Sequence, residues 1–133
     1  MTRYGIDATV ALRLLRERTA VPSQHQLVAP NLLRSEVLSM LYREVRTGDL
    51  AQADGRALLE DLAGIRIRLL GDRVSRAVAW RIAHDLDWPD VGPAEYVAVA
   101  KLQADAFVTL DAELASRVGS VVQLAPFEAL LEE

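Results

Sequence analysis

The sequence contains no cysteine, and its only histidines are His25 and His84. Such a chain can form no disulfide, no thiolate zinc site and no iron–sulfur cluster, and it carries no thiol nucleophile. Sites rich in imidazole are excluded with them, so carboxylates must do most of the holding of any metal. Glycine-rich phosphate loops are missing, since neither GxGxxG nor GxxxxGK(S/T) occurs. No apolar stretch approaches the ~18–20 residues of a membrane helix, and YVAVA at 96–100 is typical of what there is. The start, MTRYGIDATVAL, sets Arg3 and Asp7 inside what would have to be a signal core. The expected location is the cytoplasm, with no membrane association. Lysine is nearly absent, Lys101 being the only one among 15 basic residues. Arginine suits bidentate phosphate contact, although such a bias also follows genome composition.

What is present is the make-up of a soluble globular protein: 133 residues, 51% hydrophobic and 26% charged. That length predicts one domain over residues 1–133. A formal charge of −4 argues mildly against a passive nucleic-acid coat. The charge is uneven, because residues 1–50 hold 7 Arg against 5 acids while 51–133 hold 8 bases against 14 acids.

RYGI (3–6) reads as a short strand ending at Asp7, and ATVALRLLRERT (8–19) then follows a helical period. A polar loop containing His25 leads to a buried strand at 26–29, and Pro30-Asn31 opens a helix that runs to about Thr47, where Gly48 stops it. Further helices are expected over 51–63, with Gly55 as a weak point, and over 73–86. Between them IRIRLL (65–70) alternates as an edge strand would. Pro93 introduces a helix through AEYVAVAKLQA. DAFVTL is then a strand ending at Asp111, DAELASRV a short helix, SVVQL a last strand and PFEALLEE a terminal helix. Strands separated by helices call for an α/β domain, its mainly parallel sheet of about five strands covered by helices on both faces. The aromatic residues Trp80, Trp88, Tyr96 and Phe107 fall in or beside apolar patterns and are mostly expected in the core. His25 and His84 lie in no triad context and are expected to be structural or solvated.

In open parallel sheets the ligand crevice lies beyond the carboxyl ends of the strands. Asp7 follows the first strand and Asp111 the late one, so both are placed to share an acidic site. Each alone is also explained as the N-cap of the helix it precedes. Glu36 lies on the apolar face drawn by Leu32, Leu33, Val37, Met40 and Leu41. An unpaired buried carboxylate costs several kcal/mol or shifts until it neutralises, so an Arg partner, a rim position or a metal should meet it. Carboxylates without Cys or clustered His favour Mg2+ or Mn2+, which can activate water for attack on a phosphodiester. Thr109, two before Asp111, has a hydroxyl that can order a ligand or water, though β-propensity also explains a Thr there.

YGIDATVAL, the internal Glu of APNLLRSEVL and the late AEYVAVAKLQADAFVTLDAEL together resemble a PIN domain, more narrowly the VapC-type toxins of bacterial toxin–antitoxin pairs. The likeness runs from the first strand to APFEALL. It implies a Mg2+- or Mn2+-dependent endoribonuclease, usually a homodimer, acting on RNA and inhibited by a small VapB-type antitoxin. Carried over by position, the catalytic and metal-holding carboxylates are Asp7, Glu36 and Asp111. One position departs: Pro93 stands where the resemblance calls for a further metal-binding Asp. Asp90 lies three residues earlier, in a turn from which it could substitute; Glu95 lies two residues on, about 200° around a helix and away from the required direction. The loss of one anion should weaken metal binding, which sets a second expectation beside the first: an impaired PIN domain kept for antitoxin or RNA binding. A phosphoacceptor receiver domain fits less well, lacking an acidic pair beside Asp7 and carrying Lys101 in mid-helix.

Overall fold

A computed structural model describes residues 1–133. Strands β1 (Thr2–Ile6), β2 (His25–Pro30), β3 (Ile67–Leu70) and β4 (Ala106–Val108) alternate with helices α1 (Ala8–Glu17), α2 (Leu33–Arg46), α3 (Gln52–Leu62), α4 (Arg73–Asp85), α5 (Gly92–Gln103) and α6 (Ala112–Val118). The four strands form one sheet in the order β3-β2-β1-β4, every pair parallel. This is a Rossmann-like α/β arrangement in which the order reverses beside β1, leaving a crevice between the carboxyl ends of β1 and β4.

Strand alternation shows why both faces are covered. A Cβ on Gly5 would come within 2.6 Å of the Ala100 Cβ, so α5 lies directly on that face of β1. Tyr4 and Ile6 point the other way and are also buried, on the face closed by the second layer. α5 is buried nearly all round, from Ala94 through Tyr96 to Ala100, as a central helix should be. It packs on β1, β2 and β4 and carries α4 outside it, whereas α1 packs against α2 and α3.

Several boundaries move for local reasons. Pro30 closes β2, paired with Leu70, and α2 begins only at Leu33. The stop at Gly48 is as expected, with φ +84 just past the helix end. Gly55 is no weak point: a Cβ there would meet Val45 Cγ2 at 2.8 Å, so glycine permits α2 and α3 to approach. The expected fifth strand shrinks to a single bridge between Phe107 and Leu124, because Val121 and Val122 both bond back to the Val118 carbonyl in a turn. The terminal helix is a 3-10 helix, Phe127–Leu131, whose period of three buries Phe127 and Leu130 together. Trp80 is not in the core but 71% exposed, on the outer face of α4, while Tyr96 and Phe107 are buried. No helix is long and apolar enough to cross a membrane.

Candidate active site

Asp7 follows β1 directly and caps α1, its Oδ1 accepting from the Val10 N–H at 3.2 Å. The same oxygen accepts from the Thr9 hydroxyl at 2.5 Å, and Oδ2 accepts from the Thr109 hydroxyl. Thr9 Oγ1 also accepts from the Leu110 N–H at 3.1 Å, and Thr109 Oγ1 from that of Asp111 at 3.1 Å. Two threonines thus tie the ends of β1 and β4 together around one carboxyl. Asp7 is 5% exposed and belongs to no ion pair. Burial pushes its carboxyl above the usual aspartate range, and the hydrogen bonds from Thr109, Thr9 and Val10 only partly oppose this.

Glu36 lies in α2 between the buried Leu33 and Val37 and is half-buried. No arginine meets it, since the ion pairs are Arg13–Glu17, Arg16–Glu44 and His84–Asp85. Its Oε1 instead accepts from the Tyr96 hydroxyl, on α5, at 2.5 Å. Burial, and then the bond to Glu36, hold the Tyr96 phenol far above its usual range, so it stays protonated and donates. Asp111 caps α6, with Oδ1 accepting from the Leu114 N–H at 3.1 Å, and is exposed.

Asp7, Glu36 and Asp111 line one cleft of about 410 Å3 at the carboxyl ends of β1 and β4. Pro93 and Asp90 line it too, and Asp90 Oδ1 accepts from the Gly92 N–H at 2.7 Å at the start of α5. Glu95 lines a different, smaller cavity with Asn31 and Arg76, in keeping with its rotation around the helix. No three acidic or histidine side chains are grouped closely enough to hold a metal ion between them. The donors are nevertheless of the kind that a hard cation takes. Mg2+ keeps several of its waters, so carboxylates spread around a cleft can hold it through that shell.

Sequence reading did not assign Thr9, Arg43, Trp88, Tyr96 or Arg117 to this cleft, although all line it. For Arg43 the signal was there: Glu36, Met40 and Arg43 follow i, i+4, i+7 on α2 and all face the cleft. Tyr96 carries a hydroxyl at the head of the apolar run YVAVA and so required a partner. Arg117 donates to the Leu86 carbonyl at 2.7 Å and lies 5.4 Å from the centre of the Trp88 ring, a pairing that no local pattern announces. The cleft therefore joins five carboxylates, those of Asp90 and Glu113 included, to two arginines, an arrangement able to hold a hydrated cation and a phosphodiester side by side.

No protein-family model matches the chain, and no curated protein matches it. Among solved structures it is similar to the crystal structure of PAE2754 from Pyrobaculum aerophilum, with a TM-score of 0.72 and 20% identity over 98% of this chain and 93% of that one. At that identity the likeness establishes the fold: a single α/β domain around a parallel four-stranded sheet.

Proposed function

We propose that this protein is a divalent-metal-dependent endoribonuclease of the PIN-domain type, the toxin of a VapBC-like toxin–antitoxin pair. The observation that carries this reading is the meeting of Asp7, Glu36 and Asp111 around one cleft that Arg43 and Arg117 also line. The three carboxylates would hold Mg2+ or Mn2+, which supplies an activated water and neutralises charge on the phosphodiester. Thr9 and Thr109 fix the Asp7 carboxyl, and the Tyr96 hydroxyl orients Glu36. Arg43 and Arg117 are suited to the RNA backbone, which needs planar, charge-assisted donors. On this reading the protein acts in the cytoplasm as a homodimer, silenced by a small VapB-type antitoxin.

The test is cleavage of a single-stranded RNA pool by the purified chain. Cleavage should require Mg2+ or Mn2+ and fall at least a hundredfold in Asp7→Ala; cleavage that persists in EDTA overturns the reading. A second reading, an impaired domain retained for binding antitoxin or RNA, is favoured by Pro93, which brings no carboxylate to the cleft wall. Pro93→Asp discriminates between them. A several-fold gain in Mn2+ affinity together with the appearance of cleavage supports the impaired domain, whereas unchanged cleavage in both proteins supports the enzyme.

A further inference from the structure

At the amino ends of the strands, away from the carboxylate cleft, a second cavity of about 800 Å3 opens beside the first residues of β2 and β3. Its character is the reverse of the cleft's. Acids outnumber bases 19 to 15 in the chain, yet none of the cavity's 15 lining residues is Asp or Glu. Arg66 and Arg68 line it, are exposed, and belong to no ion pair. They stand two residues apart, Arg68 in β3, the outer strand of the sheet, and Arg66 just before that strand begins. Two positive charges two residues apart with no acid beside them leave the pair open to an anion.

The rest of the lining fits an organic phosphate better than a bare ion. Thr19 and Ser23 contribute hydroxyls, while Val21 and Ile65 belong to its aliphatic wall. His25 also lines it, edge-on to Tyr4 with ring centres 5.3 Å apart and with Nε2 bonded to the Glu132 carbonyl at 2.5 Å. Its Nδ1 is buried without a partner. The volume falls in the ~300–1,000 Å3 range of small-molecule sites. We infer that this cavity binds a nucleoside phosphate, with the phosphate on the Arg66 and Arg68 guanidinium groups and the base against the aliphatic wall. The inference stands independently of the proposed nuclease activity.

The experiment is a titration of the 15N-labelled full chain with adenosine 5′-monophosphate, adenosine and inorganic phosphate, followed by amide chemical shifts. The nucleotide should move the amides of residues 19–26 and 64–68 and saturate, with adenosine and phosphate each at least tenfold weaker. Arg66→Ser combined with Arg68→Ser should weaken nucleotide binding at least tenfold, because two charge-assisted phosphate contacts are lost. Ser23→Trp, at an exposed position on the rim, should do the same by filling the cavity. Asp7→Asn should leave binding there unchanged. Shifts confined to the surroundings of Asp7 and Asp111, undiminished binding in the arginine variant, or phosphate binding as tightly as the nucleotide would each overturn the assignment.

Discussion

Asp7 holds its carboxyl among two threonine hydroxyls and the first turn of α1, and yet burial still dominates its electrostatics. With no cation in range, its negative charge opposes the fold in metal-free buffer. Asn caps a helix about as well as Asp and accepts the same backbone hydrogen bond. Asp7→Asn is therefore expected to raise the Tm at pH 7 in EDTA, at roughly 3–5 °C per kcal/mol for a domain of this size. The same variant should lose RNA cleavage at least a hundredfold. Thermal unfolding followed by circular dichroism checks the first point, and a lower Tm would show that the lost hydrogen bonds outweigh the buried charge. Glu36 was legible as an acid on an apolar face, but its partner was not. An arginine, a rim position or a metal was expected to meet it; the tyrosine that does comes from 60 residues away.

At the scale of elements, most helices were readable because their signals are local. α4 is an example: Asp72 Oδ1 accepts from the Ser75 N–H at 2.8 Å, and the Asp72 N–H donates to Ser75 Oγ at 2.9 Å. These bonds hold the Asp72 carboxyl below its usual range, the Ser75 backbone N–H being the leading cause. A depressed folded-state pKa means that the stabilisation is present above the unfolded value of about 3.9 and is lost as pH falls through the folded one. Asp72→Ala should accordingly lower the Tm at pH 7, with a deficit that narrows below about pH 4; a deficit independent of pH would rule out the charged cap as its source. Elements whose length depends on a neighbour were read less well. SVVQL has the composition of a strand, but β4 has three residues and offers its outer side to one bridge. Trp80 likewise fits an amphipathic helix by period, and only the position of α5 beneath α4 determines which residues turn outward.

For the molecule as a whole, topology sets the location of the chemistry. With β2 on one side of β1 and β4 on the other, the loops after β1 and β4 diverge and open the crevice in which Asp7 and Asp111 stand. A ligand that binds only the folded chain stabilises it by mass action, by about 2.7 kcal/mol at a hundredfold excess over Kd. Mn2+ is therefore expected to raise the Tm of the chain by several degrees and that of Asp7→Asn by clearly less. Equal shifts in both would place the cation outside this cleft. The two cavities also divide the charge of the molecule. Carboxylates gather at one end of the sheet, while unpaired arginines line the other, a separation that the net charge of −4 conceals.

The α/β class, the parallel sheet, the position of Asp7 directly after β1 and that of Asp111 as the cap of α6 were determined by the sequence alone, because periodicity and caps are properties of a few neighbouring residues; β4 itself stops at Val108, three residues short of Asp111. Tertiary structure decided what depends on contacts far apart in the chain. It brought Thr109 to Asp7, Tyr96 to Glu36, and Arg43 and Arg117 into the same cleft. It also reduced the fifth strand to a bridge and freed Arg66 and Arg68 from any acid. Hydrogen bonds, burial and charge compensation act over a few ångströms, and which residues come within that range is settled only when the layers pack.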